Sequence, residues 1–139
     1  MRAVVDTNIL VSGLLGTSSP PSQVVMAIAT DRIRPVVCAE IFAEYRDVLA
    51  RPRLHIRPDR AAELLKLIEQ TADWVTVPTF AGLPPPPDPD DWAFLAAARV
   101  AACPLVTGNV RHFPADMGVR VMTAREWVGA IQAGNATGD

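Results

Sequence analysis

The sequence predicts a three-layer α/β domain with a central parallel sheet of about five strands. Short apolar runs alternate with segments whose apolar positions recur at helical spacing. The runs are apolar at consecutive positions, as in Ala3-Val4-Val5, which suits strands covered on both faces. No internal repeat and no linker divides the 139 residues, a length that suits one domain and is short for two. The domain is expected over residues 1–133, with GNATGD at 134–139 as a frayed tail.

Arg2 to Val5 reads as the first, inner strand, and a helix is expected from Asn8 to Leu15. Gly16 to Ser22 reads as a loop whose two prolines suit the start of a helix over Gln23 to Thr30. Ile33 to Cys38 is the second β-like run, although Pro35 cannot donate to a ladder. Ala39 to Ala50 places Ile41, Tyr45, Val48 and Leu49 on one helical stripe. A basic connector, RPRLHIR, leads into a strongly periodic helix from Pro58 to Ala72. Asp73 to Val77 is the third expected strand, and Thr79 to Pro87 a loop ending in four prolines that no helix can continue through. A helix is expected over Asp88 to Ala101 and strands over Pro104 to Thr107 and Val119 to Met122. Thr123 then caps a last helix through Ile131.

Composition narrows the function classes. Half of the residues are hydrophobic, which is ample for a core and excludes intrinsic disorder. No apolar stretch approaches the roughly 18 residues that a membrane-spanning helix needs. Asp6 also interrupts the early apolar run that a signal peptide would require, so a cytoplasmic protein is expected. Cys38 and Cys103 read as buried free thiols, and neither has zinc-ligand spacing. A net charge of −2 argues against coating nucleic acid through a broad positive field, but not against an enzyme with few, local contacts.

Asp6 is the first residue to demand an explanation, because it places a full charge directly after a buried strand. In open parallel sheets, ligands bind beyond the carboxyl ends of the strands, where the chain order switches, and Asp6 lies at such an end. Glu44 falls at the edge of its helix's apolar stripe, with Glu40 and Asp47 further toward solvent; it is either a boundary residue reaching outward or a second inward acid. In PPPPDPDDWAFLAAA, Asp88 and Pro89 make a good cap and first turn. Asp91 instead shares a stripe with Phe94, Leu95 and Ala98, which points it toward the sheet. Thr107, Gly108 and Asn109 follow a strand directly; they either line the same edge as Asp6 or cap the next short helix. Carboxylates gathered at one edge repel by roughly 4 kcal/mol per pair at about 4 Å and an effective dielectric near 20. A divalent ion removes that conflict, and a hard oxygen set without cysteine or a histidine pair points to Mg²⁺ or Mn²⁺.

The order VVDTN, EIFAEYRDVL, DPDDWAFLAAA, LVTGNVRHF resembles the PIN-domain proteins along nearly the whole chain, and is most similar to the PIN-type (VapC-like) toxins of bacterial toxin–antitoxin operons. The family's acid positions fall on Asp6, Glu44, Asp91 and Asn109. Thr107 matches an accompanying hydroxyl, and Asn8 the polar residue that orients the first acid. The resemblance implies a metal-dependent nuclease that cuts RNA, a homodimer, and an antitoxin partner that occludes the cleft. Asn109 departs from the aspartate of many relatives, and His112 stands where some carry an acid; the loss of a charge should weaken a second metal site. Asp116 is a further candidate ligand.

The mechanism expected on this reading is hydrolysis by metal-activated water, with Asp6, Glu44 and Asp91 holding the ion and Asp88 in a supporting, capping role. Arg111, beside the expected metal edge, is the leading candidate for RNA contact, ahead of Arg51, Arg53 and Arg57 in the connector. Trp74, Trp92 and Trp127 could stack on bases or belong to core and interface. One alternative is a PIN-fold module without catalysis that binds an antitoxin or RNA. A phosphotransfer domain is another, but it wants a second aspartate where Asn8 stands, or a lysine near the sheet edge. A nucleotide-binding enzyme wants a glycine-rich loop that follows no strand here.

Overall fold

The computed structural model describes residues 1–77, 92–113 and 118–136. Five parallel strands form one sheet: β1 (Arg2–Val5), β2 (Arg34–Val37), β3 (Asp73–Trp74), β4 (Leu105–Val106) and β5 (Val121–Met122), in the order β3-β2-β1-β4-β5. Helices α1 (Thr7–Leu15), α2 (Pro20–Ala29), α3 (Ala39–Leu49), α4 (Pro58–Thr71), α5 (Trp92–Ala101) and α6 (Ala124–Ala136) flank the sheet in the expected three-layer arrangement. None of the described helices is long and apolar enough to cross a membrane.

The chain first winds from β1 outward through β2 to β3, then returns across the sheet to place β4 on the other side of β1. The order therefore reverses between β1 and β4. Side chains just beyond those two strands face the crevice that such a reversal opens. Ala3, Val4 and Val5 of β1 are fully buried, as a central strand covered on both faces requires. Residue 35 turns its backbone toward β3, because Val37, two residues on, accepts from the N–H of Val75 there. β3 begins pairing only opposite Val36, so the N–H that Pro35 lacks would have met no partner strand.

Several boundaries differ from the sequence expectation. α2 starts at Pro20, not Gln23: the Ser19 side chain accepts from the N–H of Ser22, and Pro20 fills the first-turn position where a missing donor costs nothing. β3, β4 and β5 are each two residues long, shorter than their apolar runs, because pairing with a neighbour and not hydrophobicity sets where a strand ends. α6 continues past Ile131 to Ala136, into the stretch expected to fray. Its start is a reciprocal cap, with Thr123 N–H donating to Glu126 Oε1 and Glu126 N–H to Thr123 Oγ1, both at 3.1 Å. The loop over 79–87 and residues 137–139 lie outside the described residues.

α1 and α2 pack closely because Gly13 has no side chain. A Cβ there would lie 2.4 Å from Val25 Cγ2 and 2.7 Å from the Pro21 carbonyl oxygen, and the latter is backbone that cannot rotate away. Gly13→Ala gains helix propensity but overpacks this contact, so we expect a net loss of roughly 1–2 kcal/mol by urea denaturation.

Candidate active site

Asp6 follows β1 without a spacer and stands at the start of α1, its own N–H donating to the Val106 carbonyl at 2.8 Å. It is only 6 % exposed. Its side chain does not cap the helix. Instead Oδ2 accepts from the buried Thr107 hydroxyl at 2.7 Å. The same hydroxyl accepts from the Asn109 N–H at 3.0 Å, which orients its proton toward Asp6. The positive end of the α1 macrodipole lies at the same residue and also favours the ionised carboxylate. Thus the residue after β1 and the residue after β4 meet across the switch point.

Glu44 reaches this edge from α3. Its Oε2 accepts from the hydroxyl of Thr7, the residue next to Asp6. Glu44 is half-buried, whereas Glu40 and Asp47 are exposed, which selects the inward reading of the stripe-edge position. The neighbouring Tyr45 is fully buried and donates its hydroxyl to the Val5 carbonyl, pinning α3 to the end of β1. Burial raises the Tyr45 phenol well above its ordinary range, and the charges of Asp6 and Glu44 raise it further. The two carboxylates thus share one environment, each held through one oxygen by a threonine hydroxyl.

Cys38 immediately follows β2, at the same side of the sheet. Burial pushes its thiol up to about 11, so it is protonated at neutral pH. The carboxylates of Asp6 and Glu44 are hard oxygen donors, which suit Mg²⁺ or Mn²⁺. No group of three or more histidine, cysteine, aspartate or glutamate side chains able to hold an ion forms among the described residues. Asp91 and Asp88, the acids expected to join Asp6 and Glu44, lie outside the described residues, as does Asp116.

Asn109 is exposed at the start of a short 3-10 turn, Val110–His112, and Arg111 is exposed within it. Gly108 meets nothing within 4 Å where a Cβ would be, and its φ is not positive, so neither space nor backbone demands glycine there. Asn8 is exposed on α1; the contact to an acid is made by Thr7. Of the connector arginines, Arg51 pairs with Asp47 and Arg57 with Asp59, each at 2.9 Å on the surface. Trp127 is core, Trp92 is half-buried, and Trp74, 48 % exposed, packs its ring 5.3 Å from that of Phe42.

Sequence reasoning missed Thr7 and Tyr45. A threonine opening a helix reads as ordinary start chemistry, and its partner is 37 residues away. Tyr45 reads as core; the available signal was its hydroxyl, which a buried stripe must satisfy.

A sequence model described as "PIN domain" matches residues 2–111. Among solved structures, the chain is similar in fold to a chain of the crystal structure of VapBC2 from Rickettsia felis bound to a DNA fragment from their promoter. The TM-score is 0.61 at 13% identity, covering 88% of this chain and 98% of that one. No curated protein sequence matches.

The Cys38 thiol has a consequence for stability. The unfolded chain releases this proton near the ordinary value of 9.0, whereas the folded chain keeps it to about 11. Proton binding then favours the native state, so stability falls as pH rises from 9 to 11. We expect urea midpoints to drop across that window, and to drop less steeply in Cys38→Ala.

Proposed function

Because the chain belongs to the PIN-domain family, whose members are generally nucleases, we propose that it is a Mg²⁺- or Mn²⁺-dependent endoribonuclease and the toxin of a toxin–antitoxin pair. The observation that carries this reading is the meeting of Asp6 and Glu44 at the switch point, each fixed by a threonine hydroxyl. In this reading Asp6, Glu44 and Asp91 hold the ion, with Asn109 completing the polar set. Held there, a divalent ion would offset charge on the scissile phosphate and lower the pKa of a water.

The protein's own part is to hold and orient. Thr107 fixes the rotamer of Asp6, and Thr7 that of Glu44. Tyr45 keeps α3 registered on β1, so that the two carboxylates do not drift apart. Both threonine hydroxyls direct their protons to carboxylates, and the Cys38 thiol is buried and neutral, so none of these three is placed as a nucleophile. On this reading the attacking group would be water. Arg111, exposed beside Asn109, is assigned to a substrate phosphate.

The family membership and the likeness to the VapBC2 chain support an antitoxin as the protein partner. We assign the toxin to the cytoplasm, as a homodimer acting on single-stranded or structured RNA.

The decisive measurement is Mn²⁺-dependent cleavage of single-stranded RNA. Chelation should abolish it, and Asp6→Asn and Glu44→Gln should each slow it by about 100-fold or more while leaving the circular dichroism spectrum unchanged. Undiminished cleavage by folded variants removes these residues from the mechanism. Arg111→Ala should weaken RNA binding and lower the slope of log K against log salt by about 0.7, the share of one phosphate contact on a single strand.

A further inference from the structure

The opposite edge of the sheet, where the strands begin, carries the opposite charge. Arg2 opens β1, Arg34 opens β2 and Arg120 immediately precedes β5. Arg32 lies in the turn before β2, and Arg99 in the last turn of α5, which descends to this edge before β4. All five are exposed. The acids here among the described residues are Asp73, Asp31 and, in the last turn of α4, Glu69, so the five arginines still leave an excess of positive charge in a chain whose net charge is −2.

Two of the five arginines have structural work. Arg2 and Arg34 reach Asp73 at 3.3 and 3.4 Å, and Arg2 also donates to the Ala101 carbonyl at 2.6 Å, tying the end of α5 to the edge strand β3. Arg32, Arg99 and Arg120 form no ion pair with any described residue. Asp31 adopts the left-handed conformation, φ 60°, that an aspartate tolerates in a tight turn. That turn brings Arg32 beside Arg2 and Arg34, around a cleft of about 230 Å³. One aspartate between two arginines is already overcompensated, and exposed pairs add little stability. Folding therefore does not account for the remaining cations.

Strand order brings these residues into a row along one edge, on both faces of it: Val121 is level with Val4 through Leu105, so Arg120 is level with Ala3 and projects to the face opposite Arg2 and Arg34. Arg2 is the direct partner of Arg34 on the next strand, and β5 lies two strands beyond β1 on the other side. At about 4.8 Å per strand the row spans roughly 14 Å. It contains no aromatic ring, so it suits a phosphate backbone and not bases. Without a bound ion, a polyanion approaching the carboxylate edge meets the charges of Asp6 and Glu44; this second edge offers it a place to hold.

We propose that the basic edge, centred on Arg32, Arg34 and Arg120, is a second anion site that grips the backbone of single-stranded RNA at nucleotides remote from the scissile bond. That the polyanion is RNA rests on the ribonuclease reading above; the anion site does not.

The test is fluorescence anisotropy with a labelled single-stranded RNA of about 16 nucleotides, without divalent ions, on the Asp6→Asn protein, with Glu44→Gln as the alternative background. Combining Arg32→Ala, Arg34→Ala and Arg120→Ala should weaken binding about tenfold or more near 0.1 M salt and reduce the salt slope by about 2. Arg32→Ala alone, at an exposed position, should give part of that loss. Asp73→Asn, which removes an opposing charge, should tighten binding, and Lys66→Ala on α4 should change nothing. Unchanged affinity and slope in the triple variant overturn the proposal, as does absence of RNA binding by the parent protein. An equal loss of duplex DNA binding overturns the assignment to single-stranded RNA. Since the readout is binding by a cleavage-silenced protein, either failure leaves Mn²⁺-dependent cleavage by the wild type as a separate measurement.

Discussion

The Thr107 hydroxyl does two things at once: it accepts from the Asn109 N–H and donates to Asp6. Because its acceptor side is occupied by a backbone donor, its proton has one direction to take. A carboxylate only 6 % exposed at the end of a central strand depends on such a donor, since burying it unassisted would cost several kcal/mol. The contact spans 101 residues and joins the first strand to the fourth. It exists only if the chain doubles back across β1, so the fold's crossover and the state of Asp6 are one constraint seen at two scales.

The second carboxylate is held by a different device. Glu44 sits on α3, whose position relative to β1 is set by Tyr45 through the Val5 carbonyl and by ring packing on Phe94 of α5, with centroids 6.3 Å apart. Adjacent residues of one helix thus divide the labour: Tyr45 enters the core and anchors, and Glu44 points along the edge toward Thr7. A shift of α3 by a fraction of a turn would separate Glu44 from Thr7 while leaving the apolar stripe largely buried. Hydrophobic burial alone does not specify the geometry; the hydroxyl contacts do.

Much of this was legible in the sequence, and the reasons differ by element. Asp6 stood out because an acid broke an apolar run, and Glu44 because helical phase put it at a stripe boundary. Thr107 stood at a strand end that left two readings open, the edge or a helix cap, and only the family resemblance favoured the first. Thr7 and Tyr45 escaped because each bonds a residue distant in the chain, and no local pattern encodes that. Strand lengths escaped as well, since β3 to β5 are delimited by what lies beside them. The basic edge is the extreme case: its five arginines come from four separate segments, and only the strand order brings them to one edge.

Both outer strands of the sheet, β3 and β5, are only two residues long. A lateral strand from another molecule would find almost no backbone ladder to continue at either margin, which guards the monomer against edge-to-edge aggregation. Among the described residues, association with another copy or a polypeptide ligand would fall to side chains and not to the sheet's backbone ladder, so that contacts could be made and released without unzipping the sheet that carries the carboxylates.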